Sequence, residues 1–172
     1  VVASSGAVYG AGRELVRDIE ESPYGVMKRL DELALRRAAH DAGARSLVLR
    51  VFNVSGAWLR KPDAFAIADL LAQAATGQAI RIRADRPVLR SYVDVEDLAR
   101  VAVAFAADPT AGDDLVLDTA GERVVEMDDV ARAARDVTGR PHLRIVRTWD
   151  PAAAPSAYVG GGEALHALAR RL

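Results

Sequence analysis

The sequence predicts an α/β protein built on parallel strands. Two observations carry this. Short apolar runs, Val1-Val2-Ala3 and Leu47-Val48-Leu49-Arg50-Val51-Phe52, flank one long helical stretch, and beyond them amphipathic helices alternate with short extended pieces. A strand, a long helix and a second strand make a right-handed βαβ unit the expected connection.

Each element has a local reason. Val1-Val2-Ala3-Ser4-Ser5 reads as the end of a buried strand, and a Gly-rich loop over 6–12 follows it. A buried parallel strand needs neighbours on both sides, so residues upstream of Val1 are expected. Ser22-Pro23 suits a helix start, Ser22 as N-cap and Pro23 in the first turn. The helix should run to about Ala42, with Gly43 as its stop. Its apolar residues Val26, Leu30, Leu33 and Ala34 are expected to face the sheet. The run 46–52 is a buried parallel strand. Residues 62–76 read as a second helix closed by Gly77, 80–83 as a half-buried strand, and 91–93 as an extended piece. The helix over 95–107 places Leu98, Val101, Ala102 and Phe105 on one face. A strand at 114–117 precedes a helix marked by Met127, Val130, Ala131, Ala134 and Val137, ended by Gly139 and Pro141. A last strand is expected at 143–146, a loop at 151–155 and a terminal helix at 163–172.

Composition narrows the function classes. The 172 residues carry a net charge of -1, with both signs scattered, which leaves no basic footprint for nucleic acid and no polybasic membrane patch. Cysteine is absent, so disulfides and thiolate metal sites are excluded, in keeping with a cytoplasmic location. No apolar run approaches the ~20 residues that cross a bilayer. His40, His142 and His166 show no metal-site spacing. Asp94, Glu96 and Asp97 begin a helix, where carboxylates are favourable.

The motif that carries chemistry is Tyr24-Gly25-Val26-Met27-Lys28. The i, i+4 spacing puts Tyr24 and Lys28 on one face of the first helical turns. A nearby ammonium favours a phenolate, and the helix N-terminus acts in the same direction. Such a tyrosine can donate or accept a proton in alcohol–ketone interconversion. A surface lysine beside a half-buried tyrosine has the same spacing, so the surroundings decide. A strand ends in Ser4-Ser5, nineteen residues before Tyr24, and Gly6-Ala7-Val8-Tyr9-Gly10 follows it. Ser22-Pro23-Tyr24-Gly25 opens the helix. Leu49-Arg50-Val51-Phe52-Asn53-Val54-Ser55-Gly56 comes after it, and then Arg90-Ser91-Tyr92-Val93-Asp94-Val95-Glu96-Asp97-Leu98.

In this order the four segments resemble the extended short-chain dehydrogenase/reductases, in their nucleotide-sugar epimerase/dehydratase branch, over almost the whole chain. The resemblance implies the C-terminal part of a Rossmann-like doubly wound parallel sheet plus a small α/β substrate-binding region. Residues 1–56 would be the second half of the Rossmann-like domain and 57–172 mainly the substrate-binding region, with 93–118 returning to the sheet. It implies Tyr24, Lys28 and Ser5 as catalytic residues, Ser5 bonding the reacting sugar oxygen. Tyr24, Lys28 and Ser4 would contact the cofactor, NAD or NADP, with Lys28 on the nicotinamide ribose. Asn53, Arg90, Ser5 and Gly6 would contact a nucleotide-diphosphate sugar, Arg90 on the diphosphate. A homodimer through the helix that starts at Tyr24 is also implied. Trp58 either lines the sugar pocket or packs.

Departures from the family narrow the reaction. Gly6-x-x-x-Gly10-x-Gly12 has the wrong spacing and position for a dinucleotide fingerprint, and Gly160-Gly161-Gly162 reads as a loop. Without a Gly-rich half, this chain alone is expected to be inactive and not to bind the cofactor usefully. Where the branch's dehydratases carry Thr-Asp-Glu, this chain has Ser5-Gly6-Ala7. Dehydration is therefore not expected, which leaves epimerisation or reduction of a keto sugar. The loop between Ser5 and Tyr24 is short, and near 154–157 a second diphosphate arginine is missing, for which Arg147 is a conceivable substitute. The competing readings are a non-catalytic relative and an inert C-terminal fragment.

Overall fold

The computed structural model describes residues 1–57 and 65–171. In chain order its elements are β1 (Val2–Ser5), a 3-10 turn (Gly6–Val8), α1 (Pro23–Asp41), β2 (Ser46–Val51), β3 (Val54–Ser55), α2 (Ala66–Thr76), β4 (Ala79–Arg81) and β5 (Val88–Arg90). They continue with β6 (Val93–Asp94), α3 (Val95–Ala107), β7 (Asp114–Asp118), β8 (Val125–Glu126), α4 (Met127–Val137), β9 (Arg144–Val146), β10 (Ser156–Tyr158) and α5 (Glu163–Arg171).

The α/β prediction holds. Strands β1, β2 and β7 form a parallel sheet in that order, with Ser5 level with Val51 and Leu49 level with Leu117. Strand β2 is buried through its first four residues because helices cover both faces. Side chains alternate across it. Leu47 and Leu49 point into a core with Leu98, Val101 and Phe105 of α3, Leu117 of β7, and Leu165 and Leu168 of α5. Arg50 points the other way and meets Glu32 of α1. A second core joins Leu70 and Ala74 of α2, Ile80 of β4 and the face of α4 that carries Met127, Val130, Ala131 and Ala134. Short pairings complete the fold: β4 with β9, β3 with β6, and β5 between β10 and β8.

Several local expectations change. The sheet-facing surface of α1 is not its apolar stripe. Its buried residues are Gly25 and Glu32, whereas Met27, Leu30 and Leu33 are more than half exposed and Ala34 is exposed. The reason is polar: β1 and β2 offer Ser4 and Arg50 to this helix, and Glu32 answers both. Ser22 stands at the N-cap, yet its side chain makes no capping bond. Gly43 does close the helix, with φ +60. On α4, Val137 is exposed rather than buried. The extended piece at 91–93 splits, with β5 ending at Arg90 and β6 starting at Val93. The loop foreseen around Pro151–Pro155 gives way at Ser156 to a strand, β10. Trp58, Pro62 and Leu172, each given a role by the sequence, lie outside the described residues.

Candidate functional site

The expected site residues gather at the carboxyl ends of the parallel strands, where open α/β sheets bind ligands. Ser5 is the last residue of β1 and caps the 3-10 turn, its Oγ accepting from the Ala7 N–H at 3.2 Å. The first turn of α1 is pressed against that turn. A Cβ at Gly25 would run into the Ala7 carbonyl and lie 2.6 Å from Ser22 Oγ. The same close approach brings the start of α1, with Tyr24 and Lys28, to the end of β1. Tyr24 is 56% exposed. The Lys28 ammonium donates to the Ala3 carbonyl at 3.3 Å and to Asp31 at 3.1 Å, rather than to Tyr24.

Ser4 and Ser5 point to opposite faces, as neighbours on a strand must. Ser4 is buried, and its hydroxyl donates to Glu32 Oε1 at 2.6 Å inside the β1–α1 interface. The cofactor contact expected of Ser4 therefore has its hydroxyl already committed to α1. Arg50 closes on the same carboxylate with two bonds, at 2.9 and 2.7 Å. Burial alone pushes the Glu32 carboxyl up, but the hydrogen bonds from Arg50 and Ser4 outweigh it and hold the group below the usual carboxylate range. From Arg50 the network runs to Tyr9 Oη at 2.6 Å, and Tyr9 donates to Asp118 at 2.9 Å. Burial and then the Asp118 carboxylate push the Tyr9 phenol up. Asp118 also holds Arg13, whose φ of 64 is the one positive value at a non-glycine among the described residues. Arg13 reaches on to the Val159 carbonyl at 2.8 Å and so ties the loop after Ser5 to the end of β10.

Asn53 and Arg90 converge on the same place. Asn53 Nδ2 donates to the Ser91 and Tyr158 carbonyls at 3.3 and 2.8 Å. Arg90 Nη1 donates to the Leu89 and Ser156 carbonyls at 2.8 and 3.0 Å. Both side chains thus brace β10 against β5. The residue missed in the sequence is Tyr158. It pairs with Arg90 across the strands, packs its ring tilted against Phe52 at 4.8 Å, and sets its Oη 3.4 Å from Ser5 Oγ. Its one sequence signal, the three-residue stretch Ser156-Ala157-Tyr158 after a proline, is too short to stand out. Gly6 and Gly160 let the Phe52 ring close on the backbone, since a Cβ at either would lie under 3 Å from the ring.

Other candidates fall away from this cluster. At Gly10 and Gly12 the Glu14 carboxylate fills the space a side chain would take, so this loop offers negative charge where a phosphate cradle needs donors. Arg147 is buried, with both Glu126 oxygens at 2.9 Å and its guanidinium over Trp149, so it braces the fold and is not turned to a diphosphate. A cavity of about 770 Å³ lies between α3, α5 and residues 120–125, lined by Leu98, Val101, Leu165 and His166 among others, and includes none of the site residues above. Among the described residues no group of His, Asp and Glu is placed to hold a metal, and no helix is long and apolar enough to cross a membrane.

Known proteins share this fold. A UDP-glucose 4-epimerase of Azospirillum brasilense is 30% identical over an alignment of 159 positions that covers 81% of this chain and 46% of that protein. The fold matches the solved structure of RMD from Pseudomonas aeruginosa complexed with NADPH, with a TM-score of 0.75 at 22% identity, over 98% of this chain and 59% of that one. It also matches UDP-glucose 4-epimerase from Brucella ovis in complex with NAD, with a TM-score of 0.72 at 24% identity, over 98% of this chain and 57% of that one. A UDP-N-acetylglucosamine 4-epimerase from Methanobrevibacter ruminantium, in complex with UDP-N-acetylmuramic acid, gives 0.75 at 20% identity, over 96% and 55%. The chain spans about half the length of these relatives. A model of the NAD dependent epimerase/dehydratase family matches residues 1–117, and the chain belongs to that family.

Proposed function

We propose that the protein carrying this chain is a nicotinamide-dependent nucleotide-sugar epimerase or keto-sugar reductase, with Tyr24 as the acid/base. The observation that carries the reading is the close approach of the 3-10 turn capped by Ser5, at the end of β1, to Gly25 in the first turn of α1, the start of the helix that bears Tyr24 and Lys28. Tyr24 is exposed, and Lys28 lies one turn further along the same helix face with its ammonium at the end of β1. An ammonium has three N–H donors, and two are committed to Ala3 and Asp31, which leaves one for a ribose hydroxyl. The dinucleotide's diphosphate finds no cradle among the described residues.

A bound NAD or NADP supplies the two-electron acceptor for oxidation of a carbinol carbon and the donor for its reduction. Tyr24 Oη takes the carbinol proton as the alcohol becomes a ketone and returns it as the ketone is reduced. Lys28 supplies positive charge on the side of the helix where the phenolate forms. Ser5 holds the reacting oxygen. Asn53 and Arg90 sit at the far end, where a sugar-linked diphosphate would lie. Residues 1–56 act as the catalytic half and 57–172 mainly as the sugar-binding region. Ser5-Gly6-Ala7 brings no carboxylate to the sugar, so the elimination of water lacks its acid and base.

The outward stripe of α1, with Met27, Leu30 and Leu33 each more than half exposed, supports a homodimer through this helix. A Leu30→Glu variant should elute as a monomer in size-exclusion chromatography with light scattering, where the parent elutes as a dimer. The reaction class is tested by giving the full-length protein UDP-glucose or UDP-N-acetylglucosamine with NAD or NADP, or a nucleotide-linked 4-keto sugar with NADH or NADPH, and analysing products by chromatography and mass. A C4 epimer at unchanged mass, or reduction of a 4-keto sugar, is expected. A product lighter by one water would contradict the reading.

A further inference from the structure

We infer that Tyr158 is a positioning residue for Ser5, which makes the Ser5 hydroxyl a dedicated donor to the reacting oxygen of the sugar. The inference rests on the reading of Ser5 as the group that holds that oxygen. A serine hydroxyl has one proton to give and two lone pairs to receive with. One lone pair of Ser5 Oγ is taken by the Ala7 N–H at 3.2 Å. Among the described residues, the other side chain within hydrogen-bonding distance of it is Tyr158, whose Oη lies at 3.4 Å. Of the two hydroxyls the phenol is the stronger acid and the aliphatic oxygen the better acceptor, so the Tyr158 proton points to Ser5. With both lone pairs filled, the Ser5 proton has one direction left, outward to the ligand. A donor fixed in this way stabilises the charge that grows on the sugar oxygen as its proton leaves, and needs no reorganisation at that moment.

The separation is longer than a relaxed O–H···O bond, and such contacts commonly tighten only when substrate is present. What matters is that Tyr158 is held where it can close. Its backbone carbonyl accepts from Asn53 at 2.8 Å, its strand is in register with Arg90, and its ring lies 4.8 Å from Phe52. The Arg90 guanidinium stands 6.0 Å from the same ring. Tyr158 therefore links the end of the site given to the diphosphate with the end given to the chemistry.

The test is a double-mutant cycle on the full-length protein with UDP-glucose and NAD, or with whichever pair proves to turn over. Tyr158→Phe keeps the ring on Phe52 and the backbone bond to Asn53 and removes only the hydroxyl. It should lower kcat about tenfold while KM stays within about twofold, less than the loss of an oxyanion donor itself. In a Ser5→Ala background the same substitution should have no further effect, because the partner it acts through is gone. A merely structural Tyr158 would give losses that multiply, or would act on KM and thermal stability, and either result overturns the proposal. If Ser5→Ala is slow but Tyr158→Phe turns over normally, the proposal fails alone. If Ser5→Ala itself turns over normally, the reading of Ser5 fails and the inference goes with it.

Discussion

Adjacent serines on one strand have opposite duties here, and the difference comes from which way each points. Ser4 faces α1 and donates to a buried carboxylate, whereas Ser5 faces the crevice and caps the turn beneath it. Ser4→Ala should cost about 1–3 kcal/mol of stability in urea unfolding, the penalty for leaving part of a buried charged group unsatisfied. Ser5→Ala, which removes two longer contacts, to the Ala7 N–H and to Tyr158, and leaves no charged group unsatisfied, should cost clearly less. Equal losses would show that the two faces are misassigned. The segment Ser4-Ser5-Gly6 singles out both serines as candidates, without saying which of them is committed to the interior. The strand's two-residue period separates them, but only once α1 is known to lie on the Ser4 side. Tyr158 was not legible, because its approach to Ser5 depends on a contact spanning 153 positions that no local pattern encodes.

At the level of elements, α1 decides the geometry. Its limits were readable from Pro23 and Gly43, but its orientation was not. Apolar periodicity marks the face that avoids water, and on α1 that face carries Met27, Leu30 and Leu33 and points away from the sheet. The buried side is held by Gly25 against the Ala7 carbonyl, by Lys28 on the Ala3 carbonyl, and by Glu32 between Ser4 and Arg50. Three polar or steric pins therefore fix the rotation that presents Tyr24. Gly25→Ala is an informative probe. In an open helix this change gains about 1 kcal/mol, but here the new methyl collides with the Ala7 backbone, so the sign reverses. The variant should be less stable than the parent by thermal unfolding and should lose turnover out of proportion to that loss. A more stable Gly25→Ala protein would mean that α1 does not approach the Ser5 turn this closely.

Across the whole molecule, two apolar cores hold the strand ends together while the charged groups set the response to acid. Core membership of α3 and most of α4 followed from helical period, because in those helices the apolar face is the buried one. Glu32 and Asp114 are two of the carboxylates that the fold holds below their ordinary values, with Glu126 beside Arg147 a third. Hydrogen bonds from Arg36 and Ser46 bring Asp114 down to about 2, and Glu32 lies below its ordinary value through Arg50 and Ser4. A carboxyl depressed in the fold contributes stability that is complete above its unfolded value and is lost as pH falls through the folded one. The unfolded values are near 3.8 and 4.5, so the melting temperature should be level from pH 7 to about 5 and fall steadily toward pH 2. A midpoint that stays flat down to pH 2 would remove these pairs from the account. The site at the strand ends depends on the same sheet, and the chemistry proposed for it depends on one phenol. The most direct measurement is turnover of a nucleotide-linked hexose by the full-length Tyr24→Phe protein, whose exposed side chain can lose its hydroxyl without disturbing the core. The account predicts a loss of at least about a hundredfold in kcat at unchanged melting temperature. Turnover within a few-fold of the parent would contradict it.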